Sequence, residues 1–271
     1  MDKISFVILT WNSEKVISAC LDSIAEISEQ EKEIVLIDNG SSDKTVLIID
    51  QFINANRQVP IRLIQLEKNY GTTISRNLGI QKISEDSNFV CILDSDTVIN
   101  QNAMSELIRV LKSEPSNVIA GPHMVNLEGV EQVTAKCIPT AALKFCKAFP
   151  LRKIQEIGEK QERYDFSDGK QWYPVGYLIS ACWMIKREVI EKLGPLDEKI
   201  FYSPEDVEYC VRAWKNGFRV IYCPGAHIIH ATQRISKKKL FSRHNWEHLK
   251  GLIYFFKKYG LFFSSKKIIC K

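Results

Sequence analysis

The sequence predicts an α/β fold, a mostly parallel sheet flanked by helices, ending in an amphipathic helical tail. Three observations lead there. Between Ile4 and Gly121, short apolar runs rich in β-branched residues alternate with helical segments, the pattern of strand–helix units in a parallel sheet. Polar clusters follow three of those runs, at Thr10-Trp11-Asn12, at 38–43 and at 94–96, where such sheets hold their ligands. The charge is also lopsided. From Lys237 onward ten basic residues face a single acid, Glu247, a net of +9, so the preceding residues carry −4 in a chain of net +5.

Ile4 to Thr10 reads as a buried strand. Asn12 or Ser13 can cap a helix reaching Ile27. Glu33 to Asp38 is a second strand, closed by the turn formers DNGSSD, and Ser42 or Asp43 can cap the helix from Lys44 to Asn54. Ile61 to Leu66 alternates as a third strand, followed by a glycine turn and a helix over Ile74 to Ile83. Phe89 to Leu93 is a fourth strand, Asn100 caps a helix to Ser113, and Val118 to Gly121 is a further strand. Glu131 to Gln171 mixes charges, aromatics and prolines and resists assignment. Tyr177 to Ile185 is strand-like, and Arg187 to Leu193 is a short helix stopped by Gly194-Pro195. Pro204 opens a helix that runs to Asn216 and stops at Gly217. Arg219 to Cys223 is again a strand, and Lys237 to Tyr259 is one amphipathic helix.

The composition narrows the classes. At 271 residues and 45% hydrophobic, the chain can build a substantial core. Eight cysteines include no CxxC pair, and several lie inside apolar runs, as small buried hydrophobes of a reducing compartment do. His227/His230 and His244/His248 lack accompanying cysteines, so no structural zinc is expected. The N-terminal apolar stretch is too short for a secretory signal, and no run of about twenty apolar residues suits a spanning helix. A cytoplasmic protein, peripheral on the inner membrane face, is therefore expected. The tail's aromatics suit an anionic membrane surface better than nucleic acid.

Asp94-Ser95-Asp96 sets two carboxylates one residue apart at a strand end, a pattern able to hold Mg²⁺ or Mn²⁺ through oxygen. Taken alone, it reads more readily as a turn whose aspartates bond backbone amides, and its place among the other strand-end clusters reverses that reading. Glu205 and Asp206 open a helix, where acids stabilise the helix dipole, the better reading for them alone; facing a cleft, a carboxylate there can also take a proton from a hydroxyl. Asp38 can accept bonds from a base or ribose, or simply close its turn. Arg76, beyond Asn69-Tyr70-Gly71, can reach a phosphate.

Five ordered stretches, SFVILTWN, EIVLIDNGSSDKT, NYGTTISRNLGI, FVCILDSDTVI and the long run from SACWMIKREVI to PGAHIIH, resemble family-2 glycosyltransferases of GT-A (Rossmann-like) fold, in their rhamnosyltransferase-like branch. The resemblance spans roughly residues 4–230 and implies a 1–236 GT-A domain, with donor-binding half about 1–122, acceptor-binding half about 123–236, and a 237–271 tail. It implies that Thr10, Trp11 and Asn12 line a nucleotide pocket and that Asp38 contacts the base. Gly71, Arg76, Asn77 and Ser95 would frame the donor. Asp94 and Asp96 would form a DxD metal site for Mn²⁺ or Mg²⁺, approached by His230, and Asp206 would be the catalytic base beside Glu205. The implied reaction is inverting transfer from a nucleotide-diphosphate sugar to a glycan or lipid-linked saccharide in surface polysaccharide synthesis. Two departures stand out: Glu208 where relatives carry Asp, and Ala231-Thr232-Gln233-Arg234 where they carry glycines. The alternatives are a sugar-phosphate nucleotidyltransferase and an inactive sugar- or membrane-binding relative. A nucleotidyltransferase would carry a glycine-rich basic loop after the first strand, where this chain has TWNSEK. A dehydrogenase is disfavoured because no GxGxxG stands there.

Overall fold

The computed structural model describes residues 1–231, 243–265 and 268, the side chains of 148, 243 and 244 excepted. In chain order the elements are β1 (Lys3–Thr10), α1 (Ile17–Ala25), β2 (Glu31–Asp38), α2 (Thr45–Ala55), β3 (Ile61–Gln65), α3 (Thr72–Ile80), β4 (Phe89–Asp94), β5 (Thr97–Val98) and α4 (Gln101–Ser113). Then come β6 (Asn117–Val125), β7 (Glu131–Gln132), β8 (Ala135–Lys136), α5 (Ala141–Ala148), α6 (Arg152–Glu162), β9 (Tyr173–Pro174), β10 (Tyr177–Leu178), β11 (Cys182–Lys186), α7 (Arg187–Leu193), α8 (Glu205–Lys215), β12 (Arg219–His230) and α9 (Arg243–Tyr259).

The main sheet runs β3-β2-β1-β4-β11-β6-β12-β5, with β7 on β6 and β9 on β12. Strands β3, β2, β1 and β4 are mutually parallel, as are β6 and β12. β11 is antiparallel to both β4 and β6 and joins the two parallel blocks. The fold is thus the mixed, mostly parallel α/β sheet expected.

Side-chain alternation along the strands divides the core. Ile4, Phe6 and Ile8 pack on one face against Leu21 of α1, Phe52 of α2 and Leu107 of α4. Val7, Val35 and Ile37 point to the other face, which Val189 of α7, Val207 of α8 and Phe255 of α9 cover. α3 lies on that face too: a Cβ at its Gly79 would sit 2.3 Å from Ile37 and 2.7 Å from Val7.

Local chemistry explains the helix starts. Asn100 Oδ1 accepts the Ala103 amide at 2.9 Å, the expected cap. Asp43 Oδ1 accepts the Thr45 amide at 3.0 Å. Asn12 does not cap α1: it holds a left-handed φ of 51°, and its Oδ1 accepts the Ser42 amide in the turn after β2. α1 begins later, at Ile17.

Three expectations change. The run 177–185 breaks into β10 and β11, and the turn between them brings Ser180 to the central cavity. β12 passes Pro224 and Gly225 and reaches His230, because a register shift between Cys223 and His227 absorbs the breakers. The unassigned middle forms β7, β8, α5 and α6. Cys20, Cys91, Cys182, Cys210 and Cys223 are buried, while Cys270 lies outside the described residues.

The part of the expected terminal helix before Arg243, including Lys239, lies outside the described residues. The apolar residues of the expected amphipathic helix divide between a buried and an exposed side of α9. Phe255 and Phe256 are buried, whereas Trp246, Leu249 and Ile253 are 59%, 47% and 48% exposed. Among the described residues no helix is long and apolar enough to cross a membrane.

Candidate active site

Sheet register assembles the site. Thr10 lies opposite Asp38, Leu9 opposite Asp94, and Cys182 opposite Leu93. The carboxyl ends of β1, β2 and β4 therefore meet the start of β11. A cavity of about 400 Å³ opens there, lined by Trp11, Gly71, Arg76, Asp94, Ser95, Asp96, Glu205, Asp206 and His230 among others.

β12 returns His230 beside Thr97 of β5, its register partner. That pairing closes the metal-binding candidate: ligand atoms of Asp94, Asp96 and His230 all lie within 4.8 Å of one another. His230 Nε2 stands 3.4 Å from Asp96 Oδ1. Its Nδ1 meets Gln132 Oε1 at 2.8 Å, while Gln132 Nε2 donates to the His230 carbonyl, so β7 fixes the ring's orientation. Burial works against charge on His230, but the bond to Asp96 and the Asp94 and Asp96 charges win and raise its pKa.

Arg76 links this cluster to α8. The side chain is 3% exposed. Nη2 donates to Asp94 Oδ1 at 2.7 Å, and Nη1 donates to Ser180 Oγ at 2.8 Å and Glu205 Oε1 at 3.3 Å. Its fork thus grips two acids of the protein itself, although the residue still lines the cavity. Burial, with the Asp206 charge next, pushes Glu205 up to about 8 despite Arg76. Burial likewise raises Asp94, against the pull of Arg76.

Asp206 follows at the first turn of α8 and accepts the Val207 amide at 2.8 Å. Burial raises its pKa, while that amide and the cations Lys136, Lys144 and Arg76 hold the rise down. Lys136 comes from β8 and Lys144 from α5, so the middle segment that defied assignment supplies charge to the site.

Gly71 is required by its geometry. It has φ of 90°, and a Cβ there would sit 2.3 Å from the Phe201 carbonyl oxygen, which the Thr72 amide bonds at 2.7 Å. The approach pins the 201–204 turn that leads into Glu205 and Asp206.

Four expected site residues, Thr10, Asn12, Asp38 and Asn77, are not among those that line the cavity. Asp38 accepts Thr10 Oγ1 at 3.0 Å and the Ser41 amide at 2.9 Å, the Asx-turn alternative. Asn12 is bound to Ser42, as above. Asn77 is buried and holds both the amide and the carbonyl of Leu196. Conversely, Ser13, Asn39, Ser180 and Tyr202 line the cavity without having been singled out. Asn39, beside Asp38 in the same turn cluster, offered the clearest sequence signal. Its Oδ1 accepts the Tyr70 amide and Ser75 Oγ, tying β2 to α3.

The chain matches Glycosyl transferase family 2 over residues 5–194. It is 24% identical to the N-acetylglucosaminyl-diphospho-decaprenol L-rhamnosyltransferase of Mycobacterium tuberculosis, over 84% of this chain and 76% of that protein. To the dTDP-rhamnosyl transferase RfbF of Shigella flexneri it is 25% identical, over 83% of this chain and 68% of that protein. Its fold is similar to the mannosyltransferase PcManGT of Pyrobaculum calidifontis, solved with GDP-Man and Mn²⁺, at a TM-score of 0.63 and 16% identity. It is also similar to GalNAc-T7 solved with UDP, GalNAc and Mn²⁺, at a TM-score of 0.70 and 16% identity. This chain covers 63% and 48% of those two structures, matching over 94% and 95% of its own length.

Proposed function

The chain belongs to glycosyl transferase family 2, and on that premise we propose that it is a metal-dependent inverting transferase. It moves a sugar from a nucleoside-diphosphate sugar to a hydroxyl of a glycan or lipid-linked saccharide, in the assembly of surface polysaccharide. The observation that carries this reading is the shared cavity: the Asp94/Asp96/His230 cluster and Asp206 open onto it together.

Two carboxylates and one imidazole with converging ligand atoms suit Mn²⁺ or Mg²⁺. Such a cation, when bound, neutralises the diphosphate as it leaves. Asp94, Asp96 and His230 hold it. Trp11, 41% exposed at the cavity rim, offers a ring face to a nucleobase. Asp206 takes the proton of the acceptor hydroxyl as that oxygen bonds to the anomeric carbon, and the bond from that carbon to the diphosphate oxygen breaks. Burial, which raises the pKa of Asp206, makes it a stronger proton acceptor for this work. Arg76 keeps Asp94 and Glu205 in register with each other. Thr10, Asp38 and Asn77 support the donor side from behind the wall, and Asn12 does so through its bonds to Ser41 and Ser42.

The acceptor side meets a membrane. The outer face of α9 carries Trp246, Leu249 and Ile253 together with Lys250 and Lys257, and Phe262 and Phe263 are also exposed. Aromatics and lysines on one face suit an anionic lipid interface.

The test is a panel of nucleotide sugars with Mn²⁺, Mg²⁺ or chelator, read as release of nucleoside diphosphate. Metal-dependent release from one donor supports the reading. Consumption of a nucleoside triphosphate with a sugar phosphate would replace it with nucleotidyl transfer.

A further inference from the structure

The segment 196–204 leads directly into Glu205 and Asp206, and two helices grip it. From α3, Asn77 holds Leu196, Thr73 Oγ1 donates to the Ile200 carbonyl at 2.6 Å, and the Thr72 amide bonds Phe201. From α9, Tyr254 OH donates to Asp197 Oδ2 at 2.8 Å and Lys258 Nζ to the same oxygen at 2.6 Å. Gly251 of α9 presses closest: a Cβ there would stand 2.3 Å from the Ser203 carbonyl oxygen and 3.1 Å from Pro204 Cδ.

α9 also holds the catalytic helix itself. Glu208 of α8 is fully buried and accepts Lys258 Nζ at 2.8 Å and Tyr259 OH at 2.7 Å, besides its pairing with Arg212 of α8. Beyond the helix, the Leu261 and Phe262 carbonyls accept the Ala141 and Ala142 amides at the start of α5. One helix therefore clamps the catalytic turn, the catalytic helix and the segment carrying Lys144.

On the helical wheel, Gly251, Phe255 and Tyr259 form the inner face, and Trp246, Leu249, Ile253, Lys250 and Lys257 lie on the opposite one. We propose that α9 is a strut between the membrane and the catalytic turn. An anionic lipid surface seated on the outer face fixes the helix, and Gly251, Tyr254, Lys258 and Tyr259 act as positioning residues that transmit this order to 196–206. Lipid contact then raises turnover as well as local enzyme concentration. This rests on the membrane reading above, and its test separates the two.

The full chain is mixed with phosphatidylcholine vesicles, with or without phosphatidylglycerol, and followed by sedimentation and by hydrogen exchange of peptides covering 196–208. Trp246→Ser/Leu249→Ser/Ile253→Ser, which alters only exposed side chains, is the control. The strut predicts sedimentation with the anionic vesicles and exchange in 196–208 slowed about tenfold, equivalent to about 1.4 kcal/mol of local stability. The triple variant loses both effects. Gly251→Ala still sediments, but its 196–208 exchange no longer responds to lipid. Sedimentation with unchanged exchange in the native chain overturns the strut and leaves the membrane reading standing. No sedimentation with anionic vesicles overturns both, while transfer itself is judged separately by nucleotide-sugar turnover.

Discussion

Replacing Arg76 by Met separates the two acids that Arg76 joins. Asp94 Oδ1 and Glu205 Oε1 lose the guanidinium at 2.7 and 3.3 Å. Breaking a buried ion pair from one side costs about 3–5 kcal/mol. Asp94 is 35% exposed toward the cavity and recovers part of its hydration, whereas Glu205 is 7% exposed and recovers little. The lower end, about 3 kcal/mol, is therefore the most expected, and it is approached only above about pH 8, where Glu205 is ionised. The deficit depends on pH in a defined direction. Both carboxyls already titrate above their usual range, Glu205 at about 8 against 4.5, and removing the cation raises them further. The folded variant then binds more protons than the unfolded chain, so its stability falls as pH rises through that window. Urea unfolding in chelator at about pH 5 and about pH 9 reads this, with a smaller deficit expected at the lower pH, where Glu205 carries its proton in both proteins. A deficit that is equal or larger at the lower pH, or absent at the higher, refutes the clamp. Arg76→Lys keeps charge but not the fork and should lose less.

Asp206→Asn should slow transfer by about a hundredfold to ten-thousandfold while donor affinity holds, as steady-state rates and donor titration would show; a near-normal rate removes Asp206 as the base. Gly71→Ala should cost about 2–4 kcal/mol from positive φ and overpacking together, measured by urea unfolding, and should lower turnover by shifting the 201–206 turn; a neutral substitution contradicts the close approach to Phe201. Asn100→Ala should cost about 1 kcal/mol through loss of the α4 cap without touching donor binding, by the same two measurements.

The parallel half of the fold was legible because β1, β2 and β4 are buried on both faces along most of their length and so form apolar runs, while the edge strand β3 shows alternation instead. Metal and base candidates were legible because carboxylates at a strand end and a helix start stand out in sequence. What stayed hidden depends on contacts distant in the chain. Arg76 reads as a phosphate ligand until Glu205, 129 residues away, is seen to face it. The reach of β12 depends on a bulge that rescues Pro224 and Gly225, which by themselves signal a strand's end. The middle segment conceals α6 because that helix is polar over most of its surface, with only Gly158 and Glu162 buried. In α9 the periodicity identified an amphipathic helix, but Trp246 and Phe256 look alike in sequence. Only the packing of Gly251 against Ser203 determines which faces the protein.

The account centres on a divalent cation that joins Asp94, Asp96 and His230 to a nucleoside diphosphate. Mn²⁺ binding followed by electron paramagnetic resonance, with and without UDP, GDP and dTDP, tests it most directly in the native chain, Asp96→Ala and Asp206→Asn. The account predicts that one diphosphate tightens Mn²⁺ binding in the native chain and in Asp206→Asn, and that Asp96→Ala loses that binding. Equal Mn²⁺ binding in all three proteins, or none in the native chain with any of the diphosphates, would contradict it.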